Sequence, residues 1–262
     1  MATATSESLA RASTPSHPPT SSIEDQIGRM AQSVFASAAL DNEFYDRWMG
    51  GPLSYAEVEV FAAEYLARTK NTSVMVALSV LHTDDLTARV ECVKNLFSEY
   101  GNGDATKAHL VLLEGFLEDL LTRLGGVGVA TTELAGRTPL ESTQAFSTGQ
   151  RELFTSPDQR VVQGALLAQE WLAYSMLTRL YEGVRNYKSL YDTDEEFHEA
   201  CEYFYIHIGE AEKEHKIQAV TSAAQVCATS DDVSTVQSGF DGFVELTIQY
   251  WAGVAERMRQ VR

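Results

Sequence analysis

The sequence predicts an all-α protein, a bundle of seven to nine helices, and three observations carry that reading. Apolar residues recur at three- and four-residue spacing through most of the chain, the period of helices with one buried face. Ser/Thr-x-x-Glu patterns stand just before several of these runs, where hydroxyl and carboxylate cap opposite backbone N–H groups. Glycine closes several of the runs, and no segment alternates apolar and polar residues as a strand does.

The elements follow in order. Residues 1–22 contain STPSHPPTSS and read as a disordered tail, with His17 outside any site; residues 23–262 read as one helical domain. Ser21-x-x-Glu24 opens the first helix, with Ile23, Ile27, Met30 and Val34 on one face. Gly50-Gly51-Pro52 breaks the chain, and Ser54-x-x-Glu57 opens a second helix carrying Val58, Phe61 and Tyr65. That helix bends or stops near residues 70–73 and resumes over 74–81. A third starts at Thr83 or Asp84, buries Leu86, Val90, Val93 and Phe97, and ends at Gly101. After the GNG turn, Asp104 caps a fourth helix with Leu110, Leu113, Leu117, Leu120 and Leu124. Residues 125–137 are the longest irregular stretch and read as a mobile loop able to close over a substrate. Thr138-Pro139-x-Glu141 gives a capping box with proline at the first helical position. A long helix spans 157–187, and Thr193-x-x-Glu196 begins the next. The last, 231–262, turns Val233, Val236, Phe240, Phe243, Ile248, Trp251, Val254 and Met258 inward.

Composition narrows the function. A net charge of −17 argues against a nucleic-acid partner, which needs a concentrated basic surface. No apolar run reaches the length of a membrane span, and the N-terminus lacks the apolar core of a signal peptide. Cys92, Cys201 and Cys227 are too few and too scattered for a disulfide framework or a zinc knuckle, which points to a reducing cytoplasm. A homodimer is expected, since C2 dimers are the commonest oligomers.

The chemistry concentrates in CEYFYIHIGEAEKEHKIQA, residues 201–219, read as one buried helix with apolar Tyr203, Phe204, Tyr205, Ile206, Ile208, Ile217 and, just beyond it, Val220 around its polar residues. His207 and His215 stand about 80° apart on a helix of about 100° per residue, and Glu212 precedes His215 by one turn. A carboxylate and two imidazoles on one face is the pattern of a bundle-core metal site. Glu170 lies among apolar neighbours, so its carboxylate is paired, protonated or metal-bound, or else sits alone on a wet stripe. His109 precedes an apolar run and, alone, reads as a hydrogen-bonded core histidine. Glu99 ends its helix, where a negative charge opposes the dipole and calls for compensation. His82, His198, Glu210 and Glu214 read as structural or solvated. The sharp reading is that Glu99, His109, Glu170, His207, Glu212 and His215 converge from four helices. Their mixed nitrogen and oxygen donors suit iron or manganese. The bland reading is a metal-free bundle with a polar core.

Three motifs carry a resemblance. FSEYGNGDATKAHLVLLEGF (97–116), GALLAQEWLAYSMLTRLYEGVRNY (164–187) and YFYIHIGEAEKEH (203–215) resemble, in order, the signature segments of the heme-oxygenase-like diiron oxidases and oxygenases. The resemblance implies a heme-oxygenase-like helical bundle, two ferrous ions, O2 as co-substrate, and no bound heme. It implies His109, Glu170, His207, Glu212 and His215 as ligands, with Glu99 beside them. It also implies natural-product chemistry on amino acids, amines or fatty acids: N-oxygenation, desaturation or carbon–carbon cleavage. An external electron donor is an expected partner.

Two departures stand out. His207-x4-Glu212-x2-His215 is one residue longer than the family's closing motif and has Glu for Asp, which calls for a π-bulge or for Glu210 in place of Glu212. Where many members supply a further glutamate, this chain has Thr72 and Ser73, and Glu64 lies about two turns early. The E-x9-H spacing of Glu99 and His109 resembles that of the N-oxygenases and favours amine oxygenation. Tyr203 and Tyr205 are read either as redox partners or as core. A metal-free thiaminase-like or quinone-biosynthesis-like enzyme of the same fold, and a non-catalytic scaffold, are the rival classes. Neither needs two histidine–carboxylate sets.

Overall fold

Two long helices, Gln159–Val184 and Ser230–Gln260, organise the computed structural model of the chain, which describes residues 22–125 and 131–262 except for the side chains of 210–215. In chain order the helices are α1 (Ile23–Gln32), α2 (Glu43–Met49), α3 (Tyr55–Thr69), α4 (Thr72–Leu81), α5 (Leu86–Glu99), α6 (His109–Arg123) and α7 (Thr131–Ala135). They continue with α8 (Glu141–Phe154), α9 (Gln159–Val184), α10 (Asp194–Ala200), α11 (Glu202–Ile208), α12 (Glu210–Gln225) and α13 (Ser230–Gln260). Short 3-10 turns cover Ser33–Ala36, Gly101–Gly103, Ala105–Lys107 and Arg185–Leu190, and no strand occurs among the described residues.

Helix α9 buries residues on nearly every side, from Val162 to Val184, so it needs neighbours all round. It finds them in α13, α12, α2, α11 and α8. The α9–α13 crossing is set by paired glycines. A Cβ on Gly164 would fall 2.0 Å from the Val236 carbonyl oxygen, and one on Gly239 would fall 2.1 Å from that of Val161. The backbones therefore touch, which only glycine permits. Farther along α9, the Trp48 ring lies over Gly183 and its Nε1 donates to the Leu180 carbonyl at 2.8 Å.

The all-α class stands, but among the described residues there are thirteen α-helices, not seven to nine. The bend or stop expected near 70–73 is a stop between α3 and α4, and the single helix expected from Thr193 through residues 201–219 is broken at Cys201 and Gly209 into α10, α11 and α12. The short α2 and α7 carry too few residues to show a periodic face. Helix α7 occupies part of the expected mobile loop 125–137: Thr131 N–H and Oγ1 both donate to Glu118, at 2.7 and 2.9 Å, and Leu134 is buried. Residues 126–130 of that loop, like the tail 1–21, lie outside the described residues.

Starts shift where tertiary partners supply the cap. Ser22 and Asp25 form the first capping box, one position after the expected pair. Helix α8 has no box from Thr138; instead the Glu64 carboxylate of α3 accepts from the Leu140 N–H at 3.1 Å and from the Thr143 hydroxyl. Asp104 caps the 3-10 turn at Thr106 rather than α6.

The largest correction concerns α5. Its apolar stripe, expected in the core, faces outward: Leu86 is 73% and Phe97 54% exposed, with Val90 and Val93 exposed between them. Ala88 and Cys92 are the residues it buries, and Asn95 and Glu99 continue that inner face at helical spacing. The reason is polar pairing. Helix α9 presents Gln163 and Glu170 towards this region, and Gln163 Nε2 donates to Thr83 Oγ1 at 2.9 Å while Asn95 Nδ2 donates to Glu170 at 2.7 Å. Buried polar groups require such partners, so the polar side of α5 turns in. Ile217, also expected inside, is 67% exposed.

Candidate metal centre

Glu99 and His109 are brought together by a turn that the sequence spells out. Gly101, Asn102 and Gly103 all have positive φ (66°, 54° and 94°), which two glycines and an asparagine accommodate. The turn folds so tightly that a Cβ on Gly101 would lie 2.6 Å from the Lys107 carbonyl carbon. It delivers His109, the first residue of α6, to 3.6 Å between Nδ1 and Glu99 Oε2. That is beyond hydrogen-bond length. His109 is buried, and among the described residues its Nδ1 has no hydrogen-bond partner.

The other two described candidates arrive from α9 and α11. Glu170 is buried, and its Oε1 accepts from Asn95 Nδ2 at 2.7 Å and, at 3.4 Å, from Gln169 Nε2. His207 is buried, with Nδ1 2.6 Å from the Tyr203 carbonyl oxygen. Nδ1 therefore carries the proton and donates, which leaves Nε2 as the lone-pair nitrogen, the arrangement typical of ligating histidines. The His109 and His207 rings meet edge to face, with centroids 4.4 Å apart.

Glu99, His109, Glu170 and His207, from four helices, line one cavity of about 70 Å³. Tyr65 and Tyr203 line it too, their hydroxyls 3.0 Å apart and the Tyr203 ring 4.6 Å from that of His207. Burial, then the neighbouring Tyr65 and Glu99, push the Tyr203 hydroxyl well above its usual pKa. Leu172, Met176, Phe146 and Phe243 contribute apolar wall, and Arg68 and Gln150 are among the cavity's polar lining. Thr72 and Ser73 line the same cavity, so hydroxyls stand where a further carboxylate was absent from the sequence.

The expected single ligand helix is not formed. Helix α11 ends at Ile208, and Gly209 is extended (φ −75°, ψ −178°) before α12 begins. His207 is thus on one helix and Glu212 and His215 on the next, with a full break where a π-bulge was expected. The side chains of Glu210, Glu212, Glu214 and His215 lie outside the described residues. Among the described residues no three histidine, cysteine, aspartate or glutamate side chains form a group able to hold a metal ion. The four described candidates nonetheless fit one in donor chemistry: two buried imidazoles, two carboxylates, and an orphaned Nδ1 on His109 that a metal would satisfy.

His198 is exposed and contacts the Tyr205 hydroxyl, away from this cavity, as expected of a non-ligand. Asn95 was missed by the sequence reasoning. Its signal was its position one turn before Glu99, on the same face. Arg68 and Tyr65 were missed as site residues because each looks like an ordinary member of an amphipathic helix.

The profile of the iron-containing redox enzyme family matches residues 59–247, most of the chain, and the chain belongs to that family. A 4-chloro-allylglycine synthase of Streptantibioticus cattleyicolor is 27% identical over 179 residues, 68% of this chain. A 4-aminobenzoate synthase of Chlamydia pneumoniae is 29% identical over 151 residues, 56% of this chain. The matched region spans 62% of the length of each relative. A solved domain with a heme oxygenase-like fold from Shewanella denitrificans superposes with a TM-score of 0.63 at 15% identity, over 90% of this chain and 92% of that one. The fold is heme-oxygenase-like, as the motifs implied. No described helix is long and apolar enough to cross a membrane.

Proposed function

We propose that this enzyme is a non-heme diiron oxygenase or oxidase acting on a small amine or amino-acid-like metabolite. In this reading Glu99, His109, Glu170, His207, Glu212 and His215 hold two ferrous ions, and an external electron donor completes the redox cycle. Iron held there would supply the activation of O2. The observation that carries the reading is the convergence of Glu99, His109, Glu170 and His207 from four helices on one cavity, with His109 Nδ1 lacking a hydrogen-bond partner among the described residues.

The chain's own groups do the rest. Asn95 orients the Glu170 carboxylate, and the Tyr203 carbonyl fixes the tautomer of His207. The apolar wall of Leu172, Met176 and Phe243 excludes bulk water from the reacting region. The Tyr65 and Tyr203 hydroxyls line the cavity, hydrogen-bonded to each other, and burial keeps both protonated.

N-oxygenation within natural-product biosynthesis is the outcome favoured by the Glu99-x9-His109 spacing. Oxidative desaturation or carbon–carbon cleavage is the second reading, favoured by the allyl group in the name of one relative. Anaerobic titration of the apoprotein with ferrous ion tests the site. Uptake is expected to saturate near about two irons per chain. Substituting His109, Glu170, His207, Glu212 or His215 by Ala, in turn, is expected to reduce it. A wild-type chain that takes up no iron ends this reading and leaves a metal-free enzyme of the same fold.

A further inference from the structure

Arg68 of α3 is the one arginine or lysine buried among the described residues, at 8% exposure, and it lines the same cavity as the candidate ligands. Arginine keeps its charge at any accessible pH, so burial without a counter-ion is costly. Several other partly buried arginines have carboxylate partners, Arg47 with Glu57, Arg123 with Asp119 and Glu196, and Arg160 with Asp158 and Asp232, while the half-buried Arg179 donates to the Ser175 carbonyl oxygen of its own helix. No carboxylate described in the structure forms an ion pair with Arg68. Glu64, one turn earlier on α3, is turned instead to Leu140 and Thr143 at the start of α8.

What does surround the guanidinium is apolar or weakly polar. It lies 4.4 Å from the centroid of Phe146 and 5.2 Å from that of Tyr250, and one terminal nitrogen points at Met176 Sδ at 3.9 Å. Its Nε–H has no acceptor among the described residues. Aromatic faces hold a guanidinium in place while leaving its edge donors to an in-plane acceptor, the geometry that a carboxylate fills with two parallel hydrogen bonds. A fixed cation beside a site that takes dications is repulsive, and an anion bound in the cavity offsets both charges at once.

We propose that the Arg68 guanidinium binds the carboxylate of the substrate and so selects small amino or aromatic acids over uncharged amines. This rests on the cavity being the active site, as argued above. It deepens that reading by naming the substrate group and the residue that takes it. The hydroxyls of Thr72 and Ser73 line the same cavity and can accept or donate to the bound acid. Arg68 acts as a binding residue, with the acid's amine or carbon chain left to reach the imidazole–carboxylate groups.

The test compares binding of L-allylglycine and 4-aminobenzoate with that of their uncharged amides, by calorimetry, on the apoprotein and on the iron-loaded chain. Wild type is expected to prefer at least one acid over its amide by about tenfold or more. Arg68→Gln is expected to abolish that preference. Arg68→Lys, which keeps the charge and loses the fork, is expected to retain part of it. Ferrous uptake should be unchanged in both variants, and that readout, with a melting curve, separates a lost binding group from a collapsed fold. The proposal is overturned if wild type shows no acid preference for either pair, or if Arg68→Gln retains it. It is also overturned if folded Arg68→Gln loses iron uptake, which would make Arg68 part of the metal site. Failure of wild type to bind iron would strike the diiron reading instead, and the acid preference of the apoprotein would still be measurable.

Discussion

Helices α5 and α9 meet through Asn95 and Glu170, yet they bury opposite kinds of surface. Helix α9 is apolar nearly all round and is enclosed, so its carboxylate at Glu170 is an exception in an oily setting. Helix α5 turns Cys92, Asn95 and Glu99 inward and leaves Leu86, Val90, Val93 and Phe97 in solvent. The first helix follows hydrophobic periodicity; the second overrides it. Polar groups on α9 need hydrogen-bonding partners inside the protein, and the polar side of α5 supplies them. A helix that presents its polar face to the core at the expense of its apolar one is serving the cavity rather than maximal burial.

This contrast can be broken by experiment. The largest effect is expected at the α9–α13 crossing, where Gly164→Ala sets a Cβ against the backbone of Val236. Backbone cannot yield as a side chain does, so a cost of about 3 kcal/mol or more is expected in denaturant unfolding. A cost near zero would mean that the two helices do not touch there. Leu167→Ala, on the same enclosed helix, should cost about 2–5 kcal/mol through the cavity it leaves.

Asn95→Ala tests the polar side of α5. It removes the 2.7 Å hydrogen bond that orients Glu170, and ferrous affinity is expected to fall about 10- to 100-fold with the fold retained. Unchanged affinity would place Glu170 outside the metal site.

A smaller effect is confined to acid. Asp232 caps α13 through Thr229 and Ala228 and pairs with Arg160 next to the start of α9. The N–H groups of Ala228 and Thr229, the Thr229 hydroxyl and the Arg160 guanidinium hold its carboxyl at about 2, below the usual 3.8. A lowered folded pKa stabilises above the unfolded value, so this contribution is intact above pH 3.8 and is lost as pH falls towards 2. Asp232→Asn should flatten the stability–pH profile over that window and leave it unaltered near neutrality.

The smallest effect is expected on the outer face of α5. Val93→Ser should change stability by no more than about 0.5 kcal/mol, because Val93 is already exposed. A larger loss would show that the stripe is covered in solution, as the expected homodimer could do.

Much of this was legible in the chain. The Gly101-Asn102-Gly103 run announced a tight reversal, and that reversal is what sets His109 beside Glu99. Thr193 and Ser54 cap their helices as their spacing required. Glu170 was singled out by its apolar neighbours alone, and it is buried. What failed did so for identifiable reasons. Spacing along a presumed continuous helix cannot foresee the extended Gly209, because glycine is tolerated both within helices and at their breaks. The capping box at Thr138 was lost to a carboxylate from α3, a competitor invisible to local sequence.

The sequence by itself determined the helical class, most of the helices, and which histidines and glutamates could share a site, because periodicity and capping are local. Only the tertiary structure decided which face of α5 turned inward, where Asn95 stands, and that Arg68 is buried in the cavity without a carboxylate partner among the described residues. Those outcomes depend on pairing buried polar groups between segments far apart in the chain, as Asn95 and Glu170 are, and no local rule encodes that balance.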